Sequence, residues 1–115
     1  MQNFRNLIVW EKSMELVEMI YRKFSEFPGE QKYVLKPQLS RAAISTPSNI
    51  AEGCGYDSSK QFRNYLQHAL GSSYEVETQL ILVQRLHQTD VTDLIAQTKQ
   101  VQKMLQSLIK KVRTS

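Results

Sequence analysis

The sequence predicts an all-α fold, an antiparallel up-down-up-down bundle of four helices, on three observations. Apolar residues recur at spacings of three and four along most of the 115 residues. Glycine (4) and proline (3) are scarce, so turns are few and the elements between them are long. No segment alternates apolar and polar residues with the two-residue period of a strand. A chain of this length forms one domain, residues 1–115, with a modest core.

Leu7, Trp10, Met14, Val17, Tyr21 and Phe24 fall along one side of a first helix, widened by Leu16, Ile20 and Phe27. Glu11, Lys12, Glu15, Glu18, Arg22 and Lys23 lie mostly opposite. Pro28-Gly29 ends this helix, because proline cannot continue the hydrogen-bond ladder and glycine accepts left-handed turns. A short polar linker follows, and Pro37 suits the first turn of a second helix. Leu39, Ala42, Ala43, Ile44, Ile50 and Ala51 give that helix an apolar face of mostly small residues. Pro47 is expected to kink it or break it in two, with Thr46 and Ser48 placed to satisfy freed backbone groups. Gly53-Cys54-Gly55 stops it.

Ser58 and Gln61 have capping-box spacing and open a third helix. Its stripe is Phe62, Leu66, Ala69, Ser73, Val76, Leu80 and Val83. Tyr65, Leu82 and Leu86 make it apolar on further sides, which predicts more than one neighbour. Gly71, followed by Ser72, sits mid-helix, where glycine costs about 1 kcal/mol relative to alanine. The expected compensation is close approach of another helix at that level. Thr89-Asp90-Val91-Thr92 forms a turn with capping residues. The fourth helix carries Leu94, Thr98, Val101, Leu105, Leu108 and Val112, a heptad seam.

The net charge of +4 is a weak pointer to an anionic partner, but it is unevenly spread. Residues 71–93 carry −3 and residues 94–115 carry +5, with no acid after Asp93. The single cysteine, Cys54, cannot form an internal disulfide and fits a reducing cytoplasm. The N-terminus lacks a signal-peptide pattern, and no run approaches the roughly 20 apolar residues of a membrane span. The expected location is cytoplasmic.

The parts of an active site are missing from this sequence. His68 and His87 lie on one helix, more than about 25 Å apart, and neither follows a glutamate three residues earlier as a diiron site requires. Cys54 has no histidine near it in sequence and reads as a small buried hydrophobe. Gly53-Cys54-Gly55 follows a helix rather than a strand and has no Lys-Ser/Thr after it, so it is a helix stop and not a phosphate loop. Glu75 and Glu77 diverge by about 200° around their helix. No catalytic residue, metal ligand or cofactor site is assigned, and the chain reads as a non-enzyme.

Two polar groupings remain. Arg41, Ser45 and Asn49 are spaced by four, with Glu52 nearby. They form either a hydrogen-bond network or solvated face, or a docking surface. Lys99, Lys103, Lys110, Lys111 and Arg113 on the last helix, with Arg63 on the third, form either a solvated basic face or a salt-dependent grip on a nucleic-acid backbone. The aromatic residues are assigned to core stripes, which leaves no base-reading motif.

The run Phe4, Leu7, Val9-Trp10, Lys12, Tyr21 and Phe27-Pro28 resembles the opening of the 23S rRNA intervening-sequence proteins, also called four-helix bundle proteins. The likeness continues through Gln38-Leu39, Arg41-Ala42-Ala43 and Ser45-Thr46-Pro47-Ser48-Asn49-Ile50-Ala51-Glu52-Gly53. It closes with Phe62, Tyr65-Leu66, Ala69, Gly71-Ser72-Ser73, Glu75, Glu77 and Leu80, while the last helix resembles the family only in pattern. The resemblance implies a four-helix bundle assembled into a pentameric ring, encoded in ribosomal RNA gene insertions or free-standing genes. It also implies kinship with the accessory proteins of diversity-generating retroelements, which act with a reverse transcriptase and its RNA. Thr46 stands where isoleucine is usual, and Tyr56 and Leu70 stand where the family often has basic residues.

The leading expectation is a non-enzymatic homo-oligomeric adaptor that binds RNA or DNA backbone through a basic surface. Its expected partners are itself and RNA or a nucleic-acid-processing protein, with no membrane. The alternative is a protein–protein scaffolding module without nucleic-acid affinity, using Arg41 to Glu52 as a subunit contact.

Overall fold

Amphipathic periodicity becomes four helices, α1 (Ile8–Lys23), α2 (Gln31–Cys54), α3 (Ser59–His87) and α4 (Thr92–Lys111). The computed structural model describes residues 2–27, 29 and 31–112, and for residues 31–33 the backbone alone. Among the described residues there is no strand. Each helix packs on two others, α1 on α2, α2 on α3, α3 on α4 and α4 back on α1. They close around one core in a rod of 49 × 19 × 19 Å. This is a four-helix bundle.

Single 3₁₀ turns bracket α1, over Phe4–Asn6 and Phe24–Glu26. The face of α1 that enters the core is centred on Val9, Ser13, Leu16 and Ile20, joined by Phe24 and Phe27. The stripe predicted from Leu7 through Tyr21 is the neighbouring one. Leu7, Trp10, Met14 and Val17 are half-buried, and Tyr21 is 49% exposed. Ser13 explains the shift, since its hydroxyl donates to the Trp10 carbonyl at 2.8 Å and the serine can then be buried without an unpaired group. The stop expected at Pro28 lies outside the described residues.

α2 begins at Gln31, so Pro37 lies inside the helix rather than in its first turn. The residues before Pro37 are anchored by packing that the sequence does not display. Leu35 lies against the core, and the Lys36 ammonium sits 5.1 Å from the centre of the Phe24 ring. Pro47 does not break α2 either. It deprives the Ala43 carbonyl of its usual donor. Its neighbours hold the helix together: the Thr46 hydroxyl donates to the Ala42 carbonyl at 3.3 Å, and Asn49 donates to the Ser45 carbonyl at 2.9 Å. Ala42, Ala43, Thr46 and Ile50 are all buried, so packing opposes any opening at this point.

α3 opens as its capping residue predicts, with the Ser58 hydroxyl accepting the Gln61 N–H at 3.2 Å. Its whole predicted stripe, Phe62, Leu66, Ala69, Ser73, Val76, Leu80 and Val83, is buried. It ends at Gln88, whose φ of 56° is left-handed, a conformation more usual for glycine. Asp90 then accepts the Thr92 N–H at 3.0 Å and leads into α4. Leu94, Thr98, Val101 and Leu105 of the predicted seam are buried, but near the end Ile109 replaces Leu108 and Val112 as the buried residue. A straight helix with 3.6 residues per turn drifts away from a 3.5-residue seam, and the core follows the drift.

Gly71 corrects a further expectation. α2 does come close at that level, but through Ser72, whose hydroxyl lies 2.8 Å from that of Ser45. Gly71 itself is exposed, with nothing within 4 Å of where a Cβ would stand. The close approach of α2 and α3 backbones falls at Gly53, where a Cβ would lie 2.8 Å from the Tyr65 Cβ.

Candidate functional site

The row of polar residues on α2 separates into two parts. Ser45 and Asn49 face α3. Asn49 donates to the Ser45 carbonyl and hydroxyl, both at 2.9 Å, and the Ser45 hydroxyl meets that of Ser72. Ser45 and Asn49 stand two residues either side of Pro47, and the Ser45–Ser72 bond ties α2 to α3 there. Arg41 and Glu52 lie outside this network and are exposed. Two further cross-links join α3 to α4. Buried Gln102 donates to a Glu77 carboxylate oxygen at 2.8 Å, and Gln106 donates to the Tyr74 hydroxyl at 3.0 Å. Glutamines within a lysine-rich helix read as solvent-facing in sequence, so this pairing was not foreseeable from spacing.

The lysines of α4 stand in solvent. Lys99, Lys103, Lys110 and Lys111 are all exposed, and none is ion-paired with an acid among the described residues. At 100° per residue, Lys99, Lys103 and Lys110 fall within about 40° of one another, over about 16 Å of helix. Arg63 reaches the same end of the bundle from α3. It is half-buried, and its Nε donates to the Ile109 carbonyl at 3.3 Å. A cation there complements the negative end of the α4 dipole, so part of this guanidinium is committed to structure. The structure therefore brings Arg63 to the last turn of α4, beside Lys110 and Lys111. Arg113 lies outside the described residues.

Aromatic residues are not all consumed by the core. Tyr56 and Tyr65 stack at the junction of α2 and α3, with ring centres 5.3 Å apart and planes 15° apart. Their hydroxyls lie 3.3 Å apart. The Tyr65 phenol is pushed well above the usual tyrosine range, first by its bond to Tyr56 and then by its bond to Glu52. Cys54, close by in sequence, is buried, and burial raises its thiol and favours the protonated form. Between α1 and α2 runs a groove of about 340 Å³, lined by Phe4, Trp10, Met14, Val17, Ile44 and Pro47 among others.

His68 is exposed and His87 half-buried, on the same long helix. Among the described residues no three of His, Cys, Asp and Glu converge as metal ligands would. Nor is any described helix long and apolar enough to cross a membrane. The geometry offers surfaces and helix–helix cross-links.

The sequence profile of the 23S rRNA-intervening sequence proteins matches residues 5–107. The chain belongs to this family. The match reaches well into α4, which in sequence resembles the family only through its pattern. A similar fold is seen in a solved structure from Bacteroides thetaiotaomicron, described as a protein of unknown function from the S23 ribosomal protein family. That structure is 29% identical, has a TM-score of 0.81, and is matched over 90% of this chain and 99% of its own. No curated protein sequence matches the chain.

Proposed function

We propose that this chain is a non-enzymatic, homo-oligomeric adaptor of the cytoplasm that holds RNA or DNA by its backbone. The observation that carries the reading is the solvated lysine row of α4, unpaired with acids among the described residues, with Arg63 at its end. Lysines in that setting grip phosphates as mobile point charges and release counterions, without reading bases. A family described by an rRNA insertion fits such a partner. Filter-binding titrations against structured RNA at several salt concentrations test the reading. Binding that weakens steeply with salt supports it, and flat, undetectable binding at low salt removes it.

The apolar groove between α1 and α2 favours a second reading, a protein scaffold without nucleic-acid affinity. A groove lined by Trp10, Met14 and Val17, with Ile44 44% exposed at its edge, is suited to another apolar surface. Sedimentation with and without RNA separates the readings, since the scaffold assembles identically in both. Ile44→Glu places a charge in the groove at an exposed position. It is expected to keep the helix content and to lower the sedimenting mass if the groove joins subunits.

A further inference from the structure

Tyr74 is a large aromatic residue that the core does not use and that stays 45% exposed. It stands on the edge of α3 that faces α4, where its hydroxyl accepts from the Gln106 amide at 3.0 Å. At 100° per residue, Gln106 falls within about 60° of Lys99, Lys103 and Lys110, inside the lysine row. This bond therefore sets the Tyr74 ring beside the row, between Lys103 and Lys110, which are about 10 Å apart along α4. No other ring and no cation covers the Tyr74 ring among the described residues. On α3 itself, Arg63 and Arg85 lie before and after Tyr74, each within about 20° of it around the helix. The acids of this stretch are turned elsewhere. The Glu77 carboxylate accepts from buried Gln102 at 2.8 Å, and Glu75 points about 100° away from Tyr74.

We propose that this face takes unpaired nucleotides, with a base stacked on the Tyr74 ring and the flanking phosphates on Lys103 and Lys110. The inference rests on the phosphate-binding reading of α4 and names the form of nucleic acid held there. A row of lysines alone grips duplex and single strand alike, since both present phosphates. An open aromatic face separates them, because duplex bases are already stacked on one another and those of a single strand are free. Every base has a π face, so stacking favours unpaired nucleotides without selecting a sequence. Gln106 is a positioning residue. Its amide occupies the polar end of the tyrosine and leaves the ring face for a partner. An apolar protein surface would also cover the ring, but only by desolvating the lysines around it.

Binding titrations of the intact protein at one low salt concentration use three probes with equal numbers of phosphates. These are oligouridine, an RNA duplex and an abasic ribose-phosphate strand. The parent is expected to hold oligouridine about tenfold more tightly than the abasic strand. Tyr74→Leu keeps an apolar side chain at this exposed position and removes the π face. It is expected to weaken oligouridine binding about tenfold, leaving the duplex, the abasic strand and the salt slope unchanged. Tyr74→Phe keeps the ring and is expected to restore most of that loss. Unchanged oligouridine affinity in Tyr74→Leu, an equal loss on the abasic strand, or a Tyr74→Phe loss as large as that of Tyr74→Leu would each overturn the stacking. Salt-dependent binding by α4 would survive any of these three results. Failure of every probe to bind would remove the phosphate reading and the stacked base with it.

Discussion

A methyl group added at Gly53 meets the Tyr65 Cβ at 2.8 Å and the Phe62 carbonyl at 3.3 Å, and neither atom can swing aside. Gly53→Ala is therefore expected to destabilise the fold by about 1–3 kcal/mol, the usual cost of overpacking. At Gly71 the same change meets nothing within 4 Å. Gly71→Ala is expected to stabilise by up to about 1 kcal/mol through helix propensity alone. Urea titration of the two variants checks both signs. The sequence reads Gly53 as a helix stop and Gly71 as the point of close approach, because neither spacing nor composition records which backbone a glycine faces. Tyrosine ionisation supplies a second test at this scale. The raised Tyr65 value means the folded state keeps this proton after the unfolded chain loses its own near 10. The associated stability is present below that pH and is lost as pH rises through the folded value. Tyr56→Phe removes the first cause of the shift, so absorbance titration is expected to find Tyr65 ionising earlier than in the parent.

Helices rather than single residues were the legible units. The α3 stripe was fully readable because a buried face of seven positions leaves its period in the sequence. The Ser58 start was readable because the cap is local, and Ser58→Ala is expected to cost about 1 kcal/mol in the same denaturation assay. α2 was read less well. Proline marks a helix start and a helix break by the same missing N–H. The contacts that decide between them at Pro37 and Pro47 come from Phe24, Thr46 and Asn49. In α1, Leu16, Ile20, Phe24 and Phe27 are buried as read, but the centre of the face lies one stripe over, at Val9 and Ser13, because a serine that satisfies its own hydroxyl behaves as a core residue. Arg63 shows the same limit, since its bond to Ile109 joins residues 46 apart in sequence. Arg63→Ala is expected to loosen the last turn of α4, seen as faster amide exchange at Val112, whose N–H donates to the Leu108 carbonyl at 3.0 Å.

For the whole molecule, the bundle separates its surfaces by chemistry. The lysine row occupies α4, the stacked tyrosines lie where α2 meets α3, and the apolar groove lies between α1 and α2. The basic row was legible as composition, because no acid follows Asp93. The tyrosine corner was not, because it needs a turn and two helices brought together. Phosphate binding by α4 is the central claim. It is tested most directly by the slope of log affinity against log salt for RNA, with the parent protein beside a variant in which Lys99, Lys103, Lys110 and Lys111 are alanine. Four phosphate contacts predict a parent slope of about −3, at roughly 0.7 to 0.9 per neutralised phosphate, and a variant slope near zero. An unchanged slope in the variant, or no binding by the parent at low salt, would contradict it.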